Sequence, residues 1–169
     1  MTEKYDSTND TKAHISRVAD MVTLCADLLE LRAKAHDESK LKSPEKEIFD
    51  EMTPKLKDST YGSEEYKGFL AQMKPALDHH YAHNSHHPEH YPNGIDGMSL
   101  LDLLEMLCDW KAAGERHANG SIGRSLEVNQ DRFKIGDQLY AILWNTIREL
   151  ERYKWGVLPP GTPNEDGVF

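Results

Sequence analysis

Apolar residues recur at intervals of three and four along most of the chain, which is the spacing of amphipathic α-helices. The first such pattern predicts helical structure from about Thr11 to Ala35. Ser43 can cap a second helix, and a loop is predicted after it from Pro54 to Gly62. Ser63 can then cap a third helix. No segment alternates with a period of two for long enough to predict a strand.

The strongest helical pattern is SLLDLLEMLCDWKAAGER, which Ser99 can cap. Its predicted core face consists of large apolar side chains: Leu100, Leu103, Leu104, Leu107 and Trp110. Gly120 and Gly123 indicate a loop, and a final helix is predicted from about Asp137 to Tyr153. The fold class is therefore predicted to be all-α, in the form of a helical bundle.

Composition and charge narrow the classes of protein. The chain has 169 residues, of which 38% are hydrophobic and 29% charged, so we expect one helical domain over residues 1–169 with tails at 1–10 and 157–169. A net charge of −9 argues against binding of a nucleic-acid polymer, which needs a basic surface. No long apolar run predicts a membrane span or signal peptide, so a cytoplasmic location is expected, in the host cytoplasm if the chain is phage-encoded. Homo-oligomerisation stays open.

Cys25 and Cys108 both lie among apolar residues of helical pattern. In that setting a buried thiol is the ordinary outcome, and no disulfide is predicted.

Six of the nine histidines lie in the segment HHYAHNSHHPEH, residues 79–90. Imidazole binds transition metals and titrates near neutral pH, so a metal site is the first interpretation, and a polar loop or pH sensor are the alternatives. His79 and His83 stand one helical turn apart, and solvent exposure explains this pair more simply than a metal does. We expect His90 at the surface.

Two carboxylates outside the histidine segment add to the metal hypothesis. Asp37 directly follows His36 in AKAHDESK, and an adjacent imidazole and carboxylate can bind one ion while the carboxylate bridges to a second. Asp109 stands between Met106 and Trp110, near the predicted buried face, where a carboxylate needs a partner such as a cation.

The order of these residues resembles that of HD-domain metal-dependent phosphohydrolases, which are helical proteins that bind one to three metal ions. It reads His14, His36-Asp37, His80 with His86-His87, and then Asp109. HDESK is similar to the HD-x-x-K form of the phosphodiesterase branch, and HHPEHYPNGIDG is similar to the loop of HD-GYP proteins, although the GYP tripeptide is absent. From His14 to about Arg132 the chain also resembles an uncharacterised family of phages and bacteria with HD-x-SK, HHxxxNxHH, EMLxDW and N-x-x-R motifs.

The resemblance implies one or two divalent ions, from Mn, Fe, Co, Zn and Mg, with six ligands: His14, His36, Asp37, His80, His87 and Asp109. Asp37 would bridge, and Asp37 or Asp109 would orient the attacking water. His86 is a further candidate, for the second ion or for substrate. Lys40 is a candidate catalytic and substrate-binding residue that could contact the phosphate or its leaving group. Arg132, with Asn129 beside it, is a further candidate phosphate contact, since ammonium and guanidinium groups suit phosphate. A surface lysine and a salt bridge from Arg132 to a carboxylate are the alternatives.

The assignment of His14 has a geometric consequence. On one straight helix, His14 and His36 would lie about 33 Å apart, too far to share an ion. The assignment therefore requires the chain to reverse near Ala26 to Glu30, where no glycine or proline marks a break.

The predicted function is metal-dependent hydrolysis of a small phosphorylated substrate, with a nucleoside 5′-monophosphate as the first choice. A phosphodiesterase for a cyclic or oligomeric signalling nucleotide and a di-iron oxygenase are the alternatives. A binding module with structural zinc is a third, although such sites usually rely on cysteine.

Overall fold

A computed structural model describes residues 5–59, 63–116 and 120–154 of the chain. These residues form six α-helices: α1 Thr8–Ala35, α2 Glu45–Asp58, α3 Glu64–His83, α4 Leu100–Glu115, α5 Ile122–Phe133 and α6 Asp137–Lys154. Short 3₁₀ helices span Glu38–Leu41, Pro88–His90 and Gly94–Gly97. The described residues contain no strand, so the prediction of an all-α fold is confirmed. None of the described helices combines the length and hydrophobicity needed to cross a bilayer.

The chain divides into two compact units. Unit 1 comprises Met1–Pro92 and Met98–Glu105, and unit 2 comprises Asn93–Gly97 and Met106–Phe169. The predicted N-terminal tail is partly helical, because α1 begins at Thr8. The predicted tail at 157–169 lies outside the described residues.

Helix α1 is uninterrupted over 28 residues, so the predicted reversal near Ala26 to Glu30 is wrong. The physical reason is that the segment contains no residue that breaks the helical hydrogen-bond ladder. None of the residues of α1 is buried, and Val22 and Leu31 are each 63% exposed. The predicted burial of the thiols is also wrong, since Cys25 on α1 and Cys108 on α4 are exposed.

Unit 1 buries three apolar side chains of α2 and α3, namely Met52, Met73 and Ala76. Helix α2 continues through Pro54 to Asp58, so the loop predicted to begin at Pro54 is wrong over those residues, and 60–62 lie outside the described ones. A proline removes one hydrogen bond of the helix, and the burial of Met52 two residues earlier favours the helix over a loop. Helix α3 begins as predicted, with Ser63 Oγ accepting the Tyr66 N–H at 3.1 Å.

Unit 2 has an apolar core of five side chains: Leu107, Leu126, Ile135, Leu143 and Ile147. Gly123 lies within α5 rather than in the predicted loop, and a Cβ there would stand 2.9 Å from Trp144 Cη2. The glycine therefore permits close packing of α5 on the Trp144 side chain.

Helix α4 runs from unit 1 into unit 2. Its start agrees with the prediction, because the Asp102 N–H donates to Ser99 Oγ at 3.2 Å. Leu100 does not belong to the core face as predicted, since it is 78% exposed in the first turn of the helix.

Candidate metal centre

Four side chains of unit 1 direct ligand atoms at one position: Asp37, His80, His86 and His87. One ligand atom of each lies within 4.8 Å of all the others. Asp37 Oδ1 is 3.2 Å from His80 Nε2 and 3.6 Å from His86 Nε2. The Nε2 atoms of His80 and His87 are 2.9 Å apart. The structure thus brings together four residues that the sequence predicted as site residues.

These side chains stand where helices end or turn. Helix α1 ends at Ala35, and Asp37 takes a left-handed backbone conformation with φ 57° before the 3₁₀ helix Glu38–Leu41. Aspartate adopts this conformation more readily than most residues, because its short polar side chain can bond locally. His80 lies in the last turn of α3, and His87 precedes Pro88, which restricts it to extended backbone (φ −99°, ψ 130°).

Two carboxylates contact the opposite ring nitrogens of the histidines. Glu45 Oε2 lies 2.9 Å from His80 Nδ1. Glu105 Oε1 lies 3.2 Å from His86 Nδ1 and 2.9 Å from His36 Nδ1. A carboxylate behind an imidazole fixes its tautomer and orientation and is the usual partner of a metal-binding histidine. His80 and His86 are therefore held with Nε2 towards the shared position.

A second network in unit 1 holds Glu105. The Arg32 guanidinium donates to Glu105 Oε2 at 2.8 Å and also contacts Asp102. Burial raises the pKa of Asp102. The hydrogen bonds that its carboxylate accepts, the strongest of them from Ser99, lower the pKa by more than burial raises it, so it lies well below its usual range. The Tyr91 hydroxyl donates to Asp102 Oδ2 at 2.9 Å. These contacts join the end of α1 to the start of α4.

The charge states of the cluster suit metal binding. Burial raises the pKa of Asp37, but its charged neighbours, among them the Lys40 ammonium that donates to Oδ2, lower it more, so the carboxyl group is ionised at neutral pH. Burial, with the neighbouring His86 and His80, lowers the pKa of His87 to about 3, which keeps that imidazole neutral. Ionised carboxylates and neutral imidazoles are the forms that bind metals.

The atoms present fit a divalent transition ion. Asp37 Oδ1 is buried and has no hydrogen-bond partner in the described part of the chain, a costly state for an acceptor. Two nitrogens that each bind one ion at about 2.0–2.1 Å can be at most about 4.1 Å apart, and His80 Nε2 and His87 Nε2 lie within that limit, 2.9 Å apart. Imidazole nitrogens suit Zn, Fe or Co better than Mg, which prefers oxygen ligands.

The two oxygens of Asp37 face different groups. Oδ1 faces His80 and His86, whereas Oδ2 lies 3.6 Å from His36 Nε2 and 2.6 Å from Lys40 Nζ. The carboxylate therefore has the orientation that a bridging ligand requires. The Lys40 ammonium also lies 5.6 Å from the centre of the Phe49 ring, and its side chain is 34% exposed.

The structure does not bring His14 to this cluster. His14 is exposed on α1, and because the helix is continuous it lies about 33 Å from His36. Its assignment as a ligand in the same chain is therefore wrong, because a continuous α1 keeps His14 too far from His36 for the two to share an ion.

The other predicted site residues belong to unit 2. Asp109 is half-buried on α4, and its role as a ligand stays a prediction. Asn129 and Arg132 share one face of α5, as the prediction required, and the Arg132 guanidinium lies 4.6 Å from the centre of the Phe133 ring. Their contact with a substrate also stays a prediction.

Sequence reasoning missed the residues that surround the ligands. Glu45, the first residue of α2, is fully buried. Asn84 Nδ2 donates to Ser39 Oγ at 2.9 Å and to the His80 carbonyl at 2.8 Å. The motifs HHxxxNxHH and EMLxDW contain Asn84 and Glu105, but the sequence offered no signal for what they contact.

The remaining histidines of the segment have other partners. His79 and His83 stack with ring centroids 4.0 Å apart, and His83 is exposed as expected. His79 Nδ1 lies 2.7 Å from Glu45 Oε1. His90 is half-buried rather than at the surface, because its Nδ1 contacts the Tyr81 carbonyl at 2.8 Å.

Comparison with known proteins places this centre within a recognised sequence family. A family of unknown function (DUF5662) matches residues 3–149, a range that contains every residue of the cluster. The chain matches no curated protein and no solved structure.

Proposed function

We propose a function from the metal centre, because the chain belongs to a family of unknown function, DUF5662, whose description assigns no activity. In this proposal the chain is a metal-dependent phosphohydrolase that acts on a nucleotide or a related small phosphate ester. The observation that carries the proposal is the convergence of Asp37, His80, His86 and His87 on one position, with carboxylates behind two of the imidazoles.

The four convergent side chains would hold one ion, and His36 with Asp37 Oδ2 offers ligands for a second. A divalent ion at this centre supplies Lewis-acid chemistry, which polarises a phosphoryl oxygen and makes water more acidic. The three imidazole nitrogens favour Zn, Fe and Co, and the Asp37 carboxylate also suits Mn.

Lys40, which lies beside the ligands, and Asp37, which is itself a ligand, have roles toward the substrate. Lys40 is partly exposed and stands at the edge of the centre, so its ammonium can bind a phosphoryl oxygen as a point charge. Asp37 is ionised, and Oδ2 can accept a hydrogen bond from the attacking water and orient it. No nucleophilic side chain is needed, because water attacks the phosphorus directly while the ester P–O bond breaks. The attacking water loses a proton, and the leaving oxygen takes one up to give the alcohol.

The resemblance to HD-domain proteins supports hydrolysis over a structural zinc site. Structural zinc usually relies on cysteine ligands, and the candidate ligand groups among the described residues contain only histidine and carboxylates. Asp109 stays a proposed ligand, and Asp109→Ala tests it: we expect loss of turnover and weaker metal retention. Full activity of this variant would remove Asp109 from the ligand set.

One observation favours a second candidate function, a di-iron oxygenase. The opposed orientation of the two Asp37 oxygens would suit a pair of irons as well as a pair of hydrolytic ions. Oxygen dependence separates the candidates, because an oxygenase consumes oxygen and cycles its irons, whereas a hydrolase requires only the ion and water.

The test is a substrate screen with defined metal content. The chain is stripped of metal, reconstituted separately with Mn, Co, Zn or Fe under argon, and incubated with nucleoside 5′-monophosphates and with cyclic and oligomeric nucleotides. We expect phosphate release from a monophosphate under argon, abolished by Asp37→Asn and retained by the matched exposed control Glu38→Gln.

Three other outcomes are informative. Cleavage of a cyclic or oligomeric nucleotide alone would favour the phosphodiesterase. Turnover only in the presence of oxygen would favour the oxygenase. Retention of activity in Asp37→Asn would contradict the assignment of the centre.

A further inference from the structure

Glu45 is a fully buried carboxylate directly behind the metal centre. Its Oε2 lies 2.9 Å from His80 Nδ1 and accepts the Ser39 hydroxyl at 3.0 Å. Its Oε1 lies 2.7 Å from His79 Nδ1. A buried carboxylate is costly in free energy unless each oxygen is hydrogen-bonded. These three contacts satisfy both oxygens of Glu45 and fix the position of its side chain.

The position of Glu45 in the fold favours a negative charge there. It is the first residue of α2, where the positive end of the helix dipole attracts an anion. An ionised carboxylate only accepts hydrogen bonds, so each imidazole nitrogen facing it must carry a proton.

Hydrogen-bond accounting assigns the proton on His80. Asn84 Nδ2 lies 3.0 Å from His80 Nδ1, but its two amide hydrogens already go to Ser39 Oγ and to the His80 carbonyl. Ser39 Oγ lies 3.1 Å from the same Nδ1, but its single hydrogen goes to Glu45. Neither neighbour therefore donates to Nδ1, and Nδ1 itself donates to Glu45.

The opposite nitrogen of His80 then has a lone pair. In the neutral form that binds a metal, an imidazole carries one proton, so a proton at Nδ1 leaves Nε2 as the acceptor. Nε2 is the atom that lies 3.2 Å from Asp37 Oδ1 and 2.9 Å from His87 Nε2, at the position where the ligand atoms converge.

We propose that Glu45 is the positioning residue of the metal centre: it fixes His80 as an Nε2 ligand by accepting the Nδ1 proton, with Ser39 and Asn84 completing the arrangement. The inference rests on the metal centre of the proposed function but not on the reaction. A purely structural Glu45, which only joined α2 to α3, would change stability without changing the tautomer of His80 or the affinity for an ion.

The experiment compares Glu45→Gln with the matched control Glu47→Gln, an exposed residue of the same helix. The affinity for Zn²⁺ is measured by competition with a chromogenic chelator. Gln has nearly the same size, but it is neutral and has one acceptor oxygen instead of two, so it cannot serve both His80 Nδ1 and His79 Nδ1 as the carboxylate does. We expect Glu45→Gln to weaken Zn²⁺ binding by about 10–100-fold, the usual effect of removing such a partner, and Glu47→Gln to bind as the wild type does.

A spectroscopic measurement accompanies the affinity. Long-range ¹H–¹⁵N correlation spectra of the Zn²⁺-loaded wild type should show His80 protonated at Nδ1 and bound through Nε2. This readout requires no variant, so it decides the proposal even if Glu45→Gln does not fold.

Each outcome has one interpretation. Wild-type affinity in folded Glu45→Gln, or binding of His80 through Nδ1, would overturn the positioning role. Failure of the wild type to bind any ion would refute both this inference and the proposed function. The expected affinity and tautomer without phosphate release would refute only the phosphohydrolase.

Discussion

The two units have opposite kinds of interior. The buried polar and charged side chains of the described residues all lie in unit 1: Glu45, His80, Asn84, His86 and Asp102. The core of unit 2 is formed by leucines and isoleucines of α4 to α6 and by Ile135 between α5 and α6. Apolar burial contributes roughly in proportion to area, about 25 cal/mol per Å², whereas a buried polar group is tolerated only when its partners are in place.

The difference between the two interiors predicts different consequences of substitution in the two units. Unit 2 obtains its stability from packing, which tolerates volume-conserving changes of side chain. Unit 1 also buries apolar side chains, but its buried polar groups depend on directional contacts, so loss of one partner leaves another buried group unsatisfied. We therefore expect function to be sensitive to polar substitutions in unit 1 and stability to be sensitive to truncations in unit 2.

The largest expected effect is on turnover, from loss of a ligand in unit 1. His80→Ala should lower kcat by at least about 100-fold, because the ion loses a ligand and its charge no longer stabilises the transition state. The matched control is His83→Ala, one helical turn away and exposed, which should keep most of the activity. Steady-state kinetics and metal content decide the outcome, and equal activity of the two variants would exclude His80 from the centre.

The next effect is on stability, from a cavity in unit 2. Leu126 is fully buried, so Leu126→Ala should lower the free energy of unfolding by about 2–5 kcal/mol. Denaturant unfolding measures the loss, with Val128→Ala on the exposed side of α5 as the control. Ion stoichiometry at 25 °C should be unchanged in the folded variant. A variant as stable as the wild type would show that the apolar core does not determine the stability of unit 2.

A smaller stability change is expected from the ion itself. Zn²⁺ at 100 times its dissociation constant should stabilise the folded chain by about 2.7 kcal/mol, because the ligands converge only in the native state. Thermal unfolding with and without a chelator measures the shift in Tm. The shift should persist in Leu126→Ala and disappear in Asp37→Ala. An equal shift in both variants would indicate ion binding elsewhere.

The smallest expected effect concerns pH and the network around Asp102. The folded-state pKa of Asp102 lies below its unfolded value of about 3.9. Its contribution to stability is therefore complete well above that pH and is lost as the pH falls through the folded pKa. At pH 7 we expect Asp102→Asn to lower the free energy of unfolding by about 1–3 kcal/mol.

Measuring the stability deficit of Asp102→Asn at two pH values tests whether it depends on the ionised carboxylate. Urea unfolding of Asp102→Asn and wild type at pH 7 and at pH 3 should show a deficit that shrinks at the lower pH. Asp78→Asn, an exposed residue of unit 1, should show little deficit at either pH. A deficit that grows as the pH falls would contradict the assigned direction of the pKa.

The sequence predicted local features well and failed where local rules compete with packing. Capping by Ser63 and Ser99 was predictable, because a cap involves residues within one turn. Pro54 and Gly123 lie inside helices, although both residue types usually indicate a loop, because the helices around them are packed. The reversal near Ala26 to Glu30 was expected only because His14 was assigned as a ligand. No local feature of the sequence supported it, and α1 is a regular helix over those residues.

The sequence by itself determined the all-α class, the starts of several helices and the chemical character of the centre. These depend on spacing along one helix and on the kinds of side chain present, which are local properties. Only the tertiary structure decided that Asp37 meets His80, His86 and His87, that His14 is excluded, and that Glu45 and Glu105 stand behind the imidazoles. Contacts between residues distant in sequence depend on how helices pack and turn. The residues next to Glu45 in the sequence give no indication that its side chain is buried.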